Sequence, residues 1–238
     1  MKIYIPSYGR GDQVRTADLF KGCDYRIVVP ESQYRDYSNH HSKDHLIAIP
    51  DKKDGNVARK RNAILDIMKN DEGYGIIADD DLLAVWPVMT LDSIDGKRVV
   101  RLFENMIEIC RGVGAHYCGL NPSSDQLKYR GDFAPFSLTK PFYWLVGIIE
   151  DTVRYDETLT RGEDVDFYFR QLQKDHVIVR DNRFTVKRDG RNKGTGIGKV
   201  DAKCKEDFQR VQKRWGEQYV RLKRNGTIQG VSQVYKGA

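Results

Sequence analysis

Short apolar runs alternate with polar stretches of crossover length over the first 80 residues. The runs are Ile3 to Ile5, Arg26 to Val29, Leu46 to Ile49 and Gly75 to Ala78, rich in β-branched side chains. The first three each run into a proline (Pro6, Pro30, Pro50), which ends a strand and opens a turn. Strands separated by helix-length segments predict βαβ units. The fold class is therefore α/β, with a mixed, mostly parallel central sheet flanked by helices.

Helical periods are clearest further along. Asn56 can cap a helix running to Asn70, with Val57, Ile64, Leu65 and Met68 on one apolar face. Arg61 projects from that same face and Arg59 away from it. An inward guanidinium must meet an anion, because burying it unpaired is costly. That anion is either a buried carboxylate or a phosphate or nucleotide. A second amphipathic helix is predicted over Arg98 to Arg111. Residues 115 to 149 look strand-rich and loop-rich, with aromatics at Phe133, Phe136, Phe142, Tyr143 and Trp144. A third helix covers Asp164 to Gln173, with Val165, Tyr168, Phe169 and Leu172 inward. The last covers Asp201 to Tyr219, with Phe208, Val211, Trp215 and Tyr219 inward. No period is visible after Arg221, and no repeat or low-complexity linker interrupts the chain. One domain over residues 1–199 is expected, with a basic segment, 200–238, packed on it.

Charge changes this picture. The chain has 238 residues and a net charge of +6, but from Arg180 onward 16 basic residues face only 6 acidic ones. The preceding 179 residues hold 24 basic and 28 acidic residues. Such asymmetry fits a polyanionic partner or a solvated basic face equally well. Aromatics at 11% argue against disorder throughout. The longest apolar run, Phe142 to Ile149, is too short for a bilayer, and the N-terminus lacks a signal-peptide pattern. Cys23, Cys110, Cys118 and Cys204 are not spaced for zinc, so reduced thiols are expected.

In open parallel sheets, ligands bind at the carboxyl ends of the strands. Three acidic or glycine-bearing elements fall there. Pro6-Ser7-Tyr8-Gly9-Arg10-Gly11 follows the first strand; Tyr8 can stack on a base, Ser7 can hydrogen-bond it and Arg10 can meet phosphate. Asp79-Asp80-Asp81 follows the fourth. Three adjacent carboxylates repel, and a hard divalent cation would offset that; an acidic turn capping the next helix is the plainer alternative. Glu163-Asp164, after Gly162, opens a helix, where the acids either cap it or serve as a general base. The glycine-rich stretch Lys187 to Lys199, with Arg188, Arg191 and Lys193, reads as a loop that can bind phosphate through backbone N–H groups and cations, or as a plain linker, and it is not a Walker loop.

Together these residues resemble the GT-A glycosyltransferases, whose fold is Rossmann-like. The shared features are the Pro6-Ser7-Tyr8 turn, Ala58-Arg59-Lys60-Arg61-Asn62-Ala63 on a helix, the Asp79-Asp80-Asp81 motif, and Glu163-Asp164 opening a later helix. Within that group the Ile-Pro-Ser-Tyr-Gly-Arg start and the Gly162-to-Phe167 segment are similar to the phage glycosyltransferases associated with TET-like dioxygenases, which modify 5-hydroxymethylcytosine in DNA. The resemblance implies transfer of a hexosyl or N-acetylhexosaminyl group from a UDP-sugar. It implies that Pro6, Ser7, Tyr8 and Arg10 line the uridine pocket, with Arg61 and Asn62 holding the nucleotide or ordering the aspartates. Asp79 and Asp80 would lie against the donor, and Asp79 and Asp81 would ligate Mn²⁺ or Mg²⁺. Asp164 would be the catalytic base and Glu163 would position acceptor or sugar. The last histidine, His176, precedes the glycine-rich stretch, so Asp189, Asn192 or water would stand where many GT-A enzymes use a histidine.

The implied partners are a nucleotide sugar and DNA carrying modified cytosine, with no membrane and no obligate protein partner. A cytoplasmic location is implied, that of the host if the chain is phage-encoded. Other readings remain open. They are a GT-A enzyme with a glycan or protein acceptor, a nucleotidyltransferase, a non-catalytic basic DNA-binding protein, and a metal nuclease using Asp79, Asp81 and Asp164.

Overall fold

The four N-terminal apolar runs are strands β1 (Ile3–Pro6), β2 (Tyr25–Pro30), β3 (Leu46–Ile49) and β4 (Tyr74–Ala78). The computed structural model describes residues 1–90, 92–123, 134–189, 202–222 and 228–230. The four strands pair in parallel in the order β3-β2-β1-β4. Short helices α1 (Arg15–Leu19) and α2 (Tyr34–Ser38) and the longer α3 (Val57–Asn70) lie between them in the chain. Residues alternate between the sheet's faces as a two-residue period requires. Ile3, Ile5, Ile27 and Val29 join one buried cluster, and Tyr4, Val28 and Ile77 join the other.

Beyond β4 the sheet becomes mixed. Among the described residues it has nine strands, ordered β3-β2-β1-β4-β8-β6-β9-β5, with β7 beside β9. The later strands are β5 (Leu82–Pro87), β6 (Tyr117–Asn121), β7 (Phe136–Ser137), β8 (Leu145–Ile149) and β9 (Val179–Arg188). Antiparallel β8 lies against β4 and β6. Two helices close the faces. α4 (Gly96–Val113) is capped by Asp95, whose carboxylate accepts the Arg98 N–H, and it buries Phe103, Met106 and Ile107. α5 (Glu163–Asp175) buries Phe167, Tyr168 and Leu172 on the opposite face, beside Ile64 and Met68 of α3.

Several expectations need adjustment. Val57 is 44% exposed and does not belong to the inward face of α3; Lys60 is buried there instead. Lys187 and Arg188 end strand β9 and are not part of a loop; the rest of the glycine-rich stretch, from Gly190, lies outside the described residues. The last helix, α6, is shorter than expected, Ala202–Trp215, and the chain after Arg221 contributes to a two-stranded sheet of β10 (Val220–Leu222) and β11 (Ile228–Gly230).

α6 is locked to α5 and to the loop before it by charge pairs. Arg214 bonds Asp166 at 2.8 Å and Asp156 at 2.9 Å, and the Trp215 indole N–H also donates to Asp166. Asp207 receives the backbone N–H and hydroxyl of Thr160. Arg210 and Arg214 are thus committed to ion pairs, while Lys203, Lys205 and Lys213 stand in solvent. No described helix is long and apolar enough to cross a membrane.

Candidate active site

β1 leads outward to β2 on one side and has β4 on the other, so the sheet's connections diverge between β1 and β4. The crevice beyond the carboxyl ends of such a strand pair is where ligands bind in α/β sheets. The chain brings the Ser7 turn and the Asp79–Asp81 run together at that place. Ser7 Oγ donates to Asp80 Oδ2 at 2.7 Å and lies 2.8 Å from the Tyr37 hydroxyl. Arg10 Nη1 meets the other Asp80 oxygen at 2.8 Å. Ser7 is buried, so it braces the turn and leaves Tyr8, 62% exposed, as the turn's open surface. The Lys60 ammonium lies 5.3 Å from the centre of the Tyr8 ring; it pairs with Asp54 at 3.2 Å and donates to the Ser7 carbonyl. Pro6, the last residue of β1, is still held in register with Val28.

Each aspartate of the run has its own guanidinium. Asp79 accepts from Arg61 Nη2 at 2.8 Å. Asp80 has Arg10. Asp81 is held by both ends of the Arg188 fork, Nε to Oδ1 at 3.1 Å and Nη2 to Oδ2 at 2.8 Å. Burial pushes the Asp80 carboxyl up, against the pull of Arg10 and Ser7. Asp79 and Asp81 are hard oxygen donors of the kind Mg²⁺ and Mn²⁺ take. As arranged, however, Asp81 has both oxygens on Arg188, and only Asp79 Oδ2 lacks a close partner, with Arg188 Nη2 4.0 Å from it. Among the described residues no group of three His, Cys, Asp or Glu side chains could hold an ion. Among the described residues the donor set, as arranged, does not fit a dication. Of the residues expected to stand in for a histidine ligand, Asp189 is buried, gives its backbone N–H to the Asp81 carbonyl at 2.8 Å, and lies 4.0 Å from Arg15 Nε. Asn192 lies outside the described residues. His176 ends α5, at the far end of the helix from Glu163.

The second acidic element lies across Arg61. Gly162 precedes α5 at φ +77°, where a Cβ would come within 2.8 Å of Ile228 Cδ1. No side-chain cap bond is made at Gly162. Glu163 Oε1 takes Arg61 Nη1 at 3.2 Å. Asp164 Oδ1 accepts the Val165 N–H at 2.8 Å. Burial pushes the Glu163 carboxyl up to about 7, with the neighbouring Asp164 charge adding and Arg61 opposing. Asp164 is raised as well, again chiefly by burial, with Arg61 and the Val165 N–H opposing. A carboxyl that titrates near neutrality in a cleft is suited to proton transfer.

Arg61 thus joins the two acidic elements, its guanidinium 5.5 Å from the centre of the Tyr155 ring. Among the described residues its buried Nε finds no hydrogen-bond partner. A cavity of about 10 Å³ is lined here by Arg61, Asp79, Tyr143, Trp144, Tyr155 and Asp164. Asn62 faces a neighbouring loop: its amide donates to the Tyr155 carbonyl and to Glu157, and its oxygen accepts the Tyr155 N–H. It therefore positions the loop that carries Tyr155. Arg188 was read as a phosphate-binding cation of a glycine-rich loop and stands instead at the end of β9. Three residues of this cleft escaped the sequence reading as site residues: Lys60, Trp144 and Tyr155. Lys60 had a usable signal, since it adjoins the inward Arg61. The others meet their partners only through the sheet.

Solved structures offer distant likenesses. Residues 1–349 of S. aureus TarS are 10% identical with a TM-score of 0.44, covering 88% of this chain and 63% of that one. A second S. aureus TarS structure is 9% identical with a TM-score of 0.44, covering 90% and 39%. The chain thus spans less than two thirds of either. No curated protein matches it in sequence. The family model described as TET-Associated Glycosyltransferase matches residues 1–196, which is most of the chain and includes both acidic elements, and the chain belongs to that glycosyltransferase family.

Proposed function

We propose that the protein moves a sugar from a UDP-sugar to the hydroxyl of 5-hydroxymethylcytosine in DNA, with Asp164 as the base. The observation that carries this reading is the half-buried Glu163–Asp164 pair, both carboxyls raised and Glu163 tied by Arg61 to Asp79 at the end of β4. The acceptor hydroxyl gives its proton to Asp164 as its oxygen bonds to the anomeric carbon. The bond from that carbon to the diphosphate breaks, and the diphosphate leaves with the electron pair. A single displacement of this kind inverts the anomeric configuration. Glu163, held by Arg61, positions the acceptor or the sugar.

Tyr8 supplies an exposed ring for the nucleobase, and Pro6 and Ser7 shape the turn beneath it. Asp79 faces the donor, while Asp80 sets Arg10 toward it. Arg61, Arg10 and Arg188 engage Asp79, Asp80 and Asp81. A hydroxymethylcytosine within a duplex must leave the stack to reach Asp164. The exposed Lys203, Lys205 and Lys213 of α6 are suited to gripping backbone phosphates, which position the strand without reading sequence.

The test is incubation with a panel of UDP-sugars and either 5-hydroxymethylcytosine DNA or plain DNA, followed by nucleoside mass spectrometry. A glycosylated hydroxymethylcytidine from one donor, and nothing from plain DNA, is expected. Unmodified nucleosides with every donor, alongside glycosylation of a glycan or protein acceptor, would overturn the DNA assignment.

A further inference from the structure

Three adjacent carboxylates need a counter-charge, and the fold supplies one from a distant strand. β9 runs antiparallel to β5 with Arg188 opposite Leu82, so the end of β9 arrives beside Asp81. The Asp189 N–H on the Asp81 carbonyl fixes this approach. The Arg188 guanidinium then lies between two supports. Its Nε and Nη2 edge grips Asp81, and its centre is 4.9 Å from the centre of the Trp144 ring. Trp144 is itself held at φ +70°, uncommon for a residue with a side chain, and its carbonyl accepts the Asp79 N–H at 2.8 Å.

Burial orders the two partners. The Asp81 side chain is 9% exposed and that of Arg188 24% exposed, so the cation is the more accessible of the pair. Nη1 makes no hydrogen bond among the described residues. A planar fork with donors to spare matches phosphate oxygens, and Asp81 and Trp144 hold it in one orientation. Freeing Asp81 for an ion would first require breaking this bidentate, mostly buried pair.

We propose that Arg188, anchored by Asp81 and backed by Trp144, is the cation that receives the donor's diphosphate, in the place a dication would otherwise take. The proposal rests on the reading of this cleft as a sugar-nucleotide site. As the bond between the anomeric carbon and the diphosphate oxygen breaks, that oxygen keeps the electron pair. The spare Arg188 N–H groups stabilise the growing charge. Asp81 is then a positioning residue and ligates nothing.

Calorimetric titration of UDP into the full chain, in EDTA and separately in Mn²⁺, tests this. The expected result is binding indifferent to EDTA, weakened on the order of 10- to 100-fold by Arg188→Ala under both conditions. Arg188→Lys, keeping a point charge without the fork, is expected to recover part of it. Matching thermal unfolding of the variants separates lost binding from lost fold. Wild-type binding only in Mn²⁺, abolished by Asp81→Asn and unchanged by Arg188→Ala, would overturn the inference and leave the sugar-nucleotide reading standing. UDP binding under neither condition would overturn that reading, and the inference with it.

Discussion

The aspartates at the end of β4 and the acidic pair opening α5 use the same chemistry under different charge ratios. Asp79, Asp80 and Asp81 have Arg61, Arg10 and Arg188, one guanidinium each. Glu163 and Asp164 must share Arg61, which Asp79 already holds by its other nitrogen. Burial then raises both carboxyls of the pair. Burial raises Asp80 as well, but only Glu163, which must share its cation, is carried to about 7. Motif matching alone would treat both elements as ligand-bearing acids.

The largest expected break in this contrast comes from Asp164→Asn. It is expected to lower transfer by on the order of 10²- to 10⁴-fold while UDP affinity is kept, measured by nucleoside mass spectrometry beside calorimetry. Next is Arg61→Met, which strips the shared cation from Asp79 and Glu163. Losing the buried cation from between these half-buried carboxylates is expected to cost about 3 kcal/mol, read from urea unfolding.

A smaller effect follows from the raised Glu163 carboxyl. Transfer by the native enzyme is expected to rise with pH through about 7, as the pair loses its proton. Glu163→Gln removes the like charge beside Asp164 and is expected to shift that limb to lower pH, visible in a pH profile of kcat/KM. The stability sign is opposite. A carboxyl raised from 4.5 in the unfolded chain to about 7 in the fold contributes stability that is complete below 4.5 and lost as pH climbs through 7. Unfolding midpoints of native protein and Glu163→Gln should therefore diverge across that window, the native protein losing more as pH rises. The smallest effect is a control outside both elements. Lys213→Ala is expected to leave UDP affinity alone and to reduce the salt slope of DNA binding by about one.

The N-terminal half was legible because its strands are short, apolar and closed by prolines, and α3 carries its own cap: Asn56 Oδ1 accepts the Arg59 N–H at 2.8 Å. Arg61 was legible as an inward cation, and its anions proved to be Asp79 and Glu163. β9 was hidden for a physical reason. It buries polar residues, Asp181, Asn182 and Thr185, and its register with β6 shifts, so no apolar alternation marks it. Arg188 was legible as a phosphate-binding cation but not its pairing, because the sheet, and not local spacing, brings it to Asp81, 107 positions away. Lys60 was missed because a single inward stripe was assumed for α3. The Ser7 turn and the loop carrying Tyr155 and Glu157 cover more of its first turns than a stripe. In α6 the count of basic residues overstated the free charge, since Arg210 and Arg214 are used internally.

The most direct measurement of the central claim pairs two readouts on one variant: UDP titration and sugar transfer to 5-hydroxymethylcytosine DNA by Asp164→Asn. The account predicts native affinity for UDP and almost no glycosylated nucleoside. An Asp164→Asn enzyme that binds UDP and transfers sugar at the native rate would contradict it.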